Sequence, residues 1–287
     1  MHLAARVSLA LALTLSCLTA GPFAQQAALG PQGRAGQVAP EPTWSPDFGL
    51  AGADWSVHAL AWFDDGGGSK LYAGGGFLTI GGVVADGIAR WDGTRWEPVG
   101  SGVARSGSIL ALTVFDDGGG PALYAGGDFT SIDGQPATGL ARYDAGGWTG
   151  LTGGTPGTRV RVLEIARDTD GVALFVGGAF LSIGGVSTVN LARYDGTWSA
   201  VPNSLSAVSE VHAIQGVETL DGPSVFVATS YLFNPIALYR WSGGSFVPQA
   251  LGPVGFIQAL EVFDDGTGER LYAGGWKLQE DSCHAPD

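Results

Sequence analysis

LYAGGDFTSIDGQPATGLARYDAGGW, residues 123–148, holds three landmarks that return along the whole chain. Its opening piece LYAGGDF (123–129) is preceded by LYAGGGF (71–77) and followed by LFVGGAF (174–180), SVFVATS (224–230) and LYAGGW (271–276). The shared aromatic stands at Tyr72, Tyr124, Phe175, Phe226 and Tyr272, at spacings of 52, 51, 51 and 46 residues. The second landmark, LARYD (140–144), returns as IARWD (88–92), LARYD (191–195) and LYRWS (238–242). The third is a lone aromatic at Trp44, Trp96, Trp148, Trp198 and Phe246. Three landmarks drifting together at one period define a repeat, and a repeat outranks any single motif.

Each repeat divides into four short strands, in the first copy 57–63, 70–74, 87–91 and 95–99. Between them lie DDGGGS, a longer loop IGGVVADG, and DGT. Short runs rich in Val, Ile, Tyr, Trp and Phe, separated by Asp-Gly and Gly-Gly, are hairpin signals. Glycine supplies the positive φ that such turns need. No stretch carries the 3.6-residue period of a helical solenoid. Four strands in about fifty residues predict one blade of a β-propeller. The expected fold is therefore all-β, with four-stranded antiparallel blades over 44–287. The repeats run about 57–103, 109–155, 160–205 and 211–251, with a partial fifth at 257–276.

Trp44 precedes Val57 by the same 13 residues that separate Trp96 from Ile109. The segment 44–50 thus reads as an orphan fourth strand. It would complete in part the last blade, whose tail KLQEDSCHAPD lacks the third-strand motif, and so cover two sheet edges. The abrupt loss of pattern after 276 reads as a truncated form of a longer propeller.

Composition agrees with an exported protein. Arg6 and the apolar stretch 7–18 form a signal sequence too short to span a bilayer, with cleavage after Ala20 or Ala24. Cys17 admits a lipid-anchored alternative, although Thr14, Leu15 and Ser16 fit a lipobox poorly. Residues 1–24 are read as the signal and 25–43, rich in Gly, Pro, Ala and Gln, as a flexible leader. The mature chain then keeps one cysteine, Cys283, so packing rather than an internal disulfide must hold it. A net charge of −13 would repel nucleic acid, and no mature segment is apolar enough for a transmembrane helix.

The phrase at 123–148 closely resembles bacterial surface repeats of the delta-sixty type and the kelch-like repeats of fungal cell-surface cortical markers. The resemblance covers about 44–276. It implies a propeller at a cell surface or outside the cell; it implies no particular activity, since propellers host many functions. The fourth repeat departs from the pattern, with Ala228-Thr229 in place of the glycine pair.

Most recurring residues have a structural reading. The glycine pairs (Gly74-Gly75, Gly126-Gly127, Gly177-Gly178, Gly274-Gly275) precede no helix, so they mark close approach of backbone rather than a phosphate cradle. Trp91, Tyr143, Tyr194 and Trp241 recur once per repeat, as inter-blade core does. Arg90/Asp92, Arg142/Asp144 and Arg193/Asp195 are spaced to share a strand face. Asp64-Asp65, Asp116-Asp117, Asp168–Gly171 and Asp264-Asp265 read as turn acids. No cofactor is expected; calcium is the one ion these acids could take, best at Asp168 and Asp170, where they alternate.

A site is better sought where repeat-equivalent positions differ. Aligned first strands place His58, Leu110, Arg161, His212 and Gln258 at one position, and Ala61, Thr113, Glu164, Gln215 and Glu261 three residues on. First strands line the channel of a propeller, so His58, Arg161, Glu164, His212 and Glu261 are the candidate ligand-binding residues at its mouth. The sequence lacks the Ser-His-Asp, HExxH, CxxC and P-loop patterns. The expected function is a non-catalytic exported module that binds a protein or glycan partner. The alternative is a glycan-active hydrolase using Glu164 and Glu261, whose separation the sequence does not fix. A copper oxidase is disfavoured because His58 and His212 lie three repeats apart.

Overall fold

The computed structural model describes residues 52–104, 107–151, 157–201, 209–231, 234–242, 244–249, 256–264, 266 and 268–276. The signal, leader, closing segment 44–50 and C-terminal tail lie outside these residues. Among the described residues every regular element is a strand.

The first blade comprises β1 (Val57–Asp64), β2 (Ser69–Gly75), β3 (Thr79–Ile80), β4 (Val83–Val84), β5 (Ile88–Trp91) and β6 (Trp96–Pro98). The second comprises β7 (Ser108–Asp116), β8 (Pro121–Asp128), β9 (Ser131–Ile132), β10 (Gln135–Pro136), β11 (Leu140–Asp144) and β12 (Gly147–Gly150). The third runs β13 (Arg159–Asp168), β14 (Gly171–Ala179), β15 (Ser182–Ile183), β16 (Val186–Ser187), β17 (Leu191–Tyr194) and β18 (Trp198–Ala200). The fourth has β19 (Ser209–Thr219), β20 (Gly222–Tyr231), β21 (Asn234–Ser242) and β22 (Ser245–Gln249). The fifth shows β23 (Phe256–Asp264) and β24 (Glu269–Trp276).

Each of the first four blades is one antiparallel sheet in chain order: β1-β2-β5-β6, β7-β8-β11-β12, β13-β14-β17-β18 and β19-β20-β21-β22. The fold is thus the all-β, four-stranded blade architecture expected. The turn acids show why the first hairpins form. Asp64 Oδ1 accepts the amide N–H of Gly66 and of Gly68, each at 2.9 Å, and both glycines have positive φ (97° and 93°). Asp116 and Asp264 repeat this cap.

The loop after the second strand holds structure that its sequence does not announce. In three blades it folds back as a two-residue hairpin (β3–β4, β9–β10, β15–β16). Two-residue strands are too short to display alternation, so the hairpin has no periodic signature. In the fourth blade the shortened loop is replaced by longer strands, with Tyr231 paired to Asn234. That blade stays four-stranded despite its altered glycine pair.

The core lies in the seams between blades. Each first strand packs on the first strand of the next blade. Phe63 and Tyr72 of blade one share a cluster with Ile109, Leu123 and Trp148 of blade two. Phe115 and Tyr124 meet Val160, Leu163 and Tyr194 at the second seam. Phe175 meets Val211, Ile214 and Trp241 at the third, and Ala228 meets Ile257 and Leu260 at the fourth. Burying each large apolar side chain is worth roughly 1.5–3 kcal/mol, so these seams hold blade to blade. The recurring aromatics are therefore chiefly core: Tyr72, Tyr124 and Phe175 are fully buried.

In the first three blades the first glycine of the pair permits this approach. A Cβ at Gly74 would lie 2.5 Å from Ile109 Cγ2, one at Gly126 2.5 Å from Val160 Cγ1, and one at Gly177 2.6 Å from Val211 Cγ1. Closure between the fifth blade and the first is not shown by the described residues.

A polar cluster at the strand bulges

The second glycine of each pair acts within its own blade. A Cβ at Gly75, Gly127 or Gly178 would collide with the carbonyl oxygen of Ser56, Ser108 or Arg159. Opposite each pair the first strand carries a register shift: between Val57 and Ala59, Ile109 and Ala111, Val160 and Val162, Val211 and Ala213, and Ile257 and Ala259. The residues skipped are His58, Leu110, Arg161, His212 and Gln258. One aligned position of the sequence is thus the extra residue of a β-bulge in all five blades. A bulge frees one residue from the ladder and re-aims its side chain.

Three of these bulge residues share an electrostatic neighbourhood. Burial and the charge of Arg161 together hold the His212 imidazole below its ordinary pKa, with Glu210 opposing. His58 keeps contact with solvent, yet burial and the same Arg161 charge depress it too. In the intervening blade the bulge residue is the apolar Leu110. The charge of one guanidinium thus bears on two histidines that stand three repeats apart in sequence.

Sequence reasoning missed the other members of this cluster. Arg161 Nε donates to Glu210 Oε1 at 2.9 Å, and Arg159 and His212 approach the same carboxylate at 4.0 and 3.9 Å. Arg159 also donates to Asp128 Oδ2 at 3.0 Å. Three cationic or protonatable groups from two blades thus surround the carboxylate of Glu210. The signal was available: Asp128 occupies a position that is Gly76 and Ala179 in the neighbouring repeats. Arg159 and Glu210 each precede a bulge residue by two.

The second candidate row lies differently. Ala61, Thr113, Glu164, Gln215 and Glu261 pair with Tyr72, Tyr124, Phe175, Phe226 and Tyr272. Directly paired residues point to one sheet face, here the face turned towards the following blade. Glu164 and Glu261 sit on β13 and β23, with β19 packed between them. Partial burial shifts the carboxyl of Glu261 upward from its ordinary value.

At the opposite end of the blades the repeated acids are committed to the framework. Asp65 accepts from Tyr72 Oη at 3.0 Å and is ion-paired with Arg90. Asp117 Oδ2 accepts from Tyr124 Oη at 2.9 Å and, across the seam, from Tyr194 Oη at 3.0 Å. Burial opposes ionisation of Asp117, but these tyrosines, the Gly119 amide and Arg142 outweigh it and lower its pKa. Asp168 accepts from Arg193 Nε at 2.8 Å and from the Asp170 amide at the same distance. The Arg/Asp spacing of two forms pairs in the second and third blades, Arg142–Asp144 and Arg193–Asp195. In the first, Arg90 turns instead to Asp65 and Glu97, while Asp92 caps its turn. Among the described residues no group of three or more His, Cys, Asp or Glu stands close enough to hold a metal ion. A cleft of about 390 Å³ lies between these turns of blades one and two, lined by Phe63, Asp65, Pro121, Arg142 and Asp144 among others.

A family model described as "Domain of unknown function (DUF5122) beta-propeller" matches residues 123–148 and 174–200. Each matched segment opens on a second strand and ends at the lone tryptophan or just past it. A comparison with curated proteins gives no match. Among solved structures, the chain is similar to the extracellular domain of the putative hybrid two component system BT4673 from B. thetaiotaomicron. That alignment has 13% identity and a TM-score of 0.47, and covers 76% of this chain and 26% of the other. Two of the repeats thus match a β-propeller family, and the four-stranded blades are of that architecture.

Proposed function

We propose that the chain is an exported, non-catalytic interaction module of kelch-like kinship, and that its partner presents a carboxylate to the bulge cluster. In this reading residues 1–24 direct export, 25–43 form a leader, and the protein is secreted or held at the cell surface. The observation that carries it is that His58, Arg161 and His212 are equivalent bulge residues of three blades, with Arg161 and His212 gathered with Arg159 on one carboxylate. Glu210 supports the choice of ligand chemistry, because an internal carboxylate already draws Arg159, Arg161 and His212 towards it. Guanidinium groups match carboxylates in geometry as well as charge. An acidic glycan and an acidic peptide both offer that group.

A binding array holding neutral glycans, uronic-acid glycans and acidic peptides tests this at low salt. Binding is expected among the acidic probes and should fall at least tenfold in Arg161→Gln. Equal binding of neutral probes, or indifference to Arg161→Gln, would overturn it. The hydrolase reading draws on one observation, the raised carboxyl of Glu261, which suits a general acid. Mass spectrometry of the same glycans would show cleavage products, lost in Glu261→Gln, if that reading holds.

A further inference from the structure

Two repeat positions diverge together at the bulge. Two residues before the bulge stand Ser56, Ser108, Arg159, Glu210 and Phe256, and the bulge residues themselves are His58, Leu110, Arg161, His212 and Gln258. Only in the third and fourth blades do both positions hold charged or titratable side chains. The third carries two arginines, the fourth a glutamate and a histidine, and β13 packs directly on β19. The charged groups are therefore gathered over one seam, joined from the second blade by Asp128.

Which atoms are engaged decides what the cluster can do. Arg159 donates Nε and Nη2 to the same oxygen of Asp128, Oδ2, at 3.2 and 3.0 Å. Arg161 donates Nε to Glu210 Oε1 at 2.9 Å, and neither of its Nη groups bonds to a described residue, although its side chain is only 33% exposed. A guanidinium is a rigid planar fork, so an acceptor on Nε fixes its plane and leaves the Nη donors for a further acceptor. At the far end of the same two strands Arg167 Nε lies 3.8 Å from Glu218 Oε1, with both side chains more than half exposed. That pair is too loose to fix a guanidinium.

Resting on the carboxylate-binding reading above, we propose that Glu210 is the positioning residue of that site. It holds Arg161 through Nε, and the Nη pair then takes a ligand carboxylate in two parallel hydrogen bonds. The formal charges of Arg159 and Arg161 are cancelled by those of Asp128 and Glu210, so recognition rests on the orientation of the fork rather than on net attraction. The opposite role, an internal carboxylate that competes with the ligand for Arg161, predicts an effect of opposite sign.

Calorimetric titration with an oligogalacturonate and with an oligoglutamate peptide tests this, and the probe that binds separates a glycan from a peptide source. Glu210→Gln should weaken binding at least fivefold, even though losing a negative charge would by itself favour an anion. Arg161→Lys should weaken it as much as Arg161→Gln, because an ammonium cannot present the fork. Glu218→Gln, which removes the same charge from the other end of β19, should change affinity less than twofold. In the unliganded protein the Arg161 Nε–H resonance should shift in Glu210→Gln while circular dichroism stays that of the wild type. Unchanged or tighter binding by Glu210→Gln would overturn the proposal, as would an equal loss in Glu218→Gln, full binding by Arg161→Lys, or an unmoved Nε–H resonance. A wild type that binds neither probe would overturn the carboxylate reading itself, and this inference with it.

Discussion

Removing the carboxylate of Asp117 should weaken the seam between the second and third blades more than any other single change to a turn acid. Asp117 Oδ2 holds two tyrosine hydroxyls from adjacent blades, Tyr124 and Tyr194, at 2.9 and 3.0 Å. Arg142 Nε lies 3.7 Å away, is buried, and has no hydrogen-bond partner among the described residues. Hydrogen bonds to an ionised group contribute about 1.5–3 kcal/mol each, and a buried polar group left unpaired costs about 1–3 kcal/mol. Truncating one member of a buried ion pair costs about 3–5 kcal/mol. Asp117 is 15% exposed and Arg142 retains Asp144, which discounts the ionic part. Asp117→Ala is therefore expected to lose about 3–4 kcal/mol. Tyr194→Phe, which removes one bond, should lose about 1.5 kcal/mol by the same scale. Asp144→Ala should lose less than about 1 kcal/mol, because Asp144 is 37% exposed and screened. Guanidinium melts followed by circular dichroism, completed with the Asp117→Ala/Tyr194→Phe double variant, measure all three. The double variant should fall short of the sum by about 1–2 kcal/mol, since the two residues share a bond. A loss at Asp117 no greater than at Asp144, or strict additivity with Tyr194, would refute the account of this network.

Other expectations follow from the same geometry. Gly126→Val should cost about 3 kcal/mol, at the upper end for overpacking, because its Cβ would lie 2.5 Å from Val160 Cγ1; a thermal melt unchanged from wild type would contradict the seam description. Stability should depend on pH in two steps. His58 and His212 have folded pKa values below 6.5, so their share is complete above that pH and shrinks as acid protonates the unfolded chain preferentially. Asp65, Asp117, Asp144 and Asp195 are lowered, Asp195 to about 2, so their larger share is present above about pH 4 and is lost as pH falls towards 2. Melting temperature should thus be flat above pH 7, dip gently towards pH 5 and fall steeply below 4, whereas a rise between pH 7 and 5 would contradict the histidine directions. The acidic-ligand array tests the cluster in the same way.

Much of the architecture was legible because a repeat states its constraints several times. LYAGG, ARYD and the lone tryptophan gave the strand order, the blade length and the burial of the aromatics. The aligned position holding His58, Arg161 and His212 was also legible, since identity drifts there while the flanking residues keep their class. The two-residue hairpins were not legible, because alternation needs more residues than they contain. Nor was the second aspartate of each pair. Asp64 and Asp65 look alike in the sequence, yet one caps a turn and the other binds Tyr72 and Arg90.

What the sequence determined alone was therefore periodic and local: glycines where turns need positive φ, aromatics once per unit, and a chain that folds as strands. What only the tertiary structure decided was which distant groups meet. Arg161 of one blade meets Glu210 of the next, and Asp117 joins tyrosines 70 residues apart in the chain. Such meetings depend on the stacking of blades, and stacking is fixed by the fit of Ile and Val side chains into glycine hollows, a matter of shape that no spacing along the chain records.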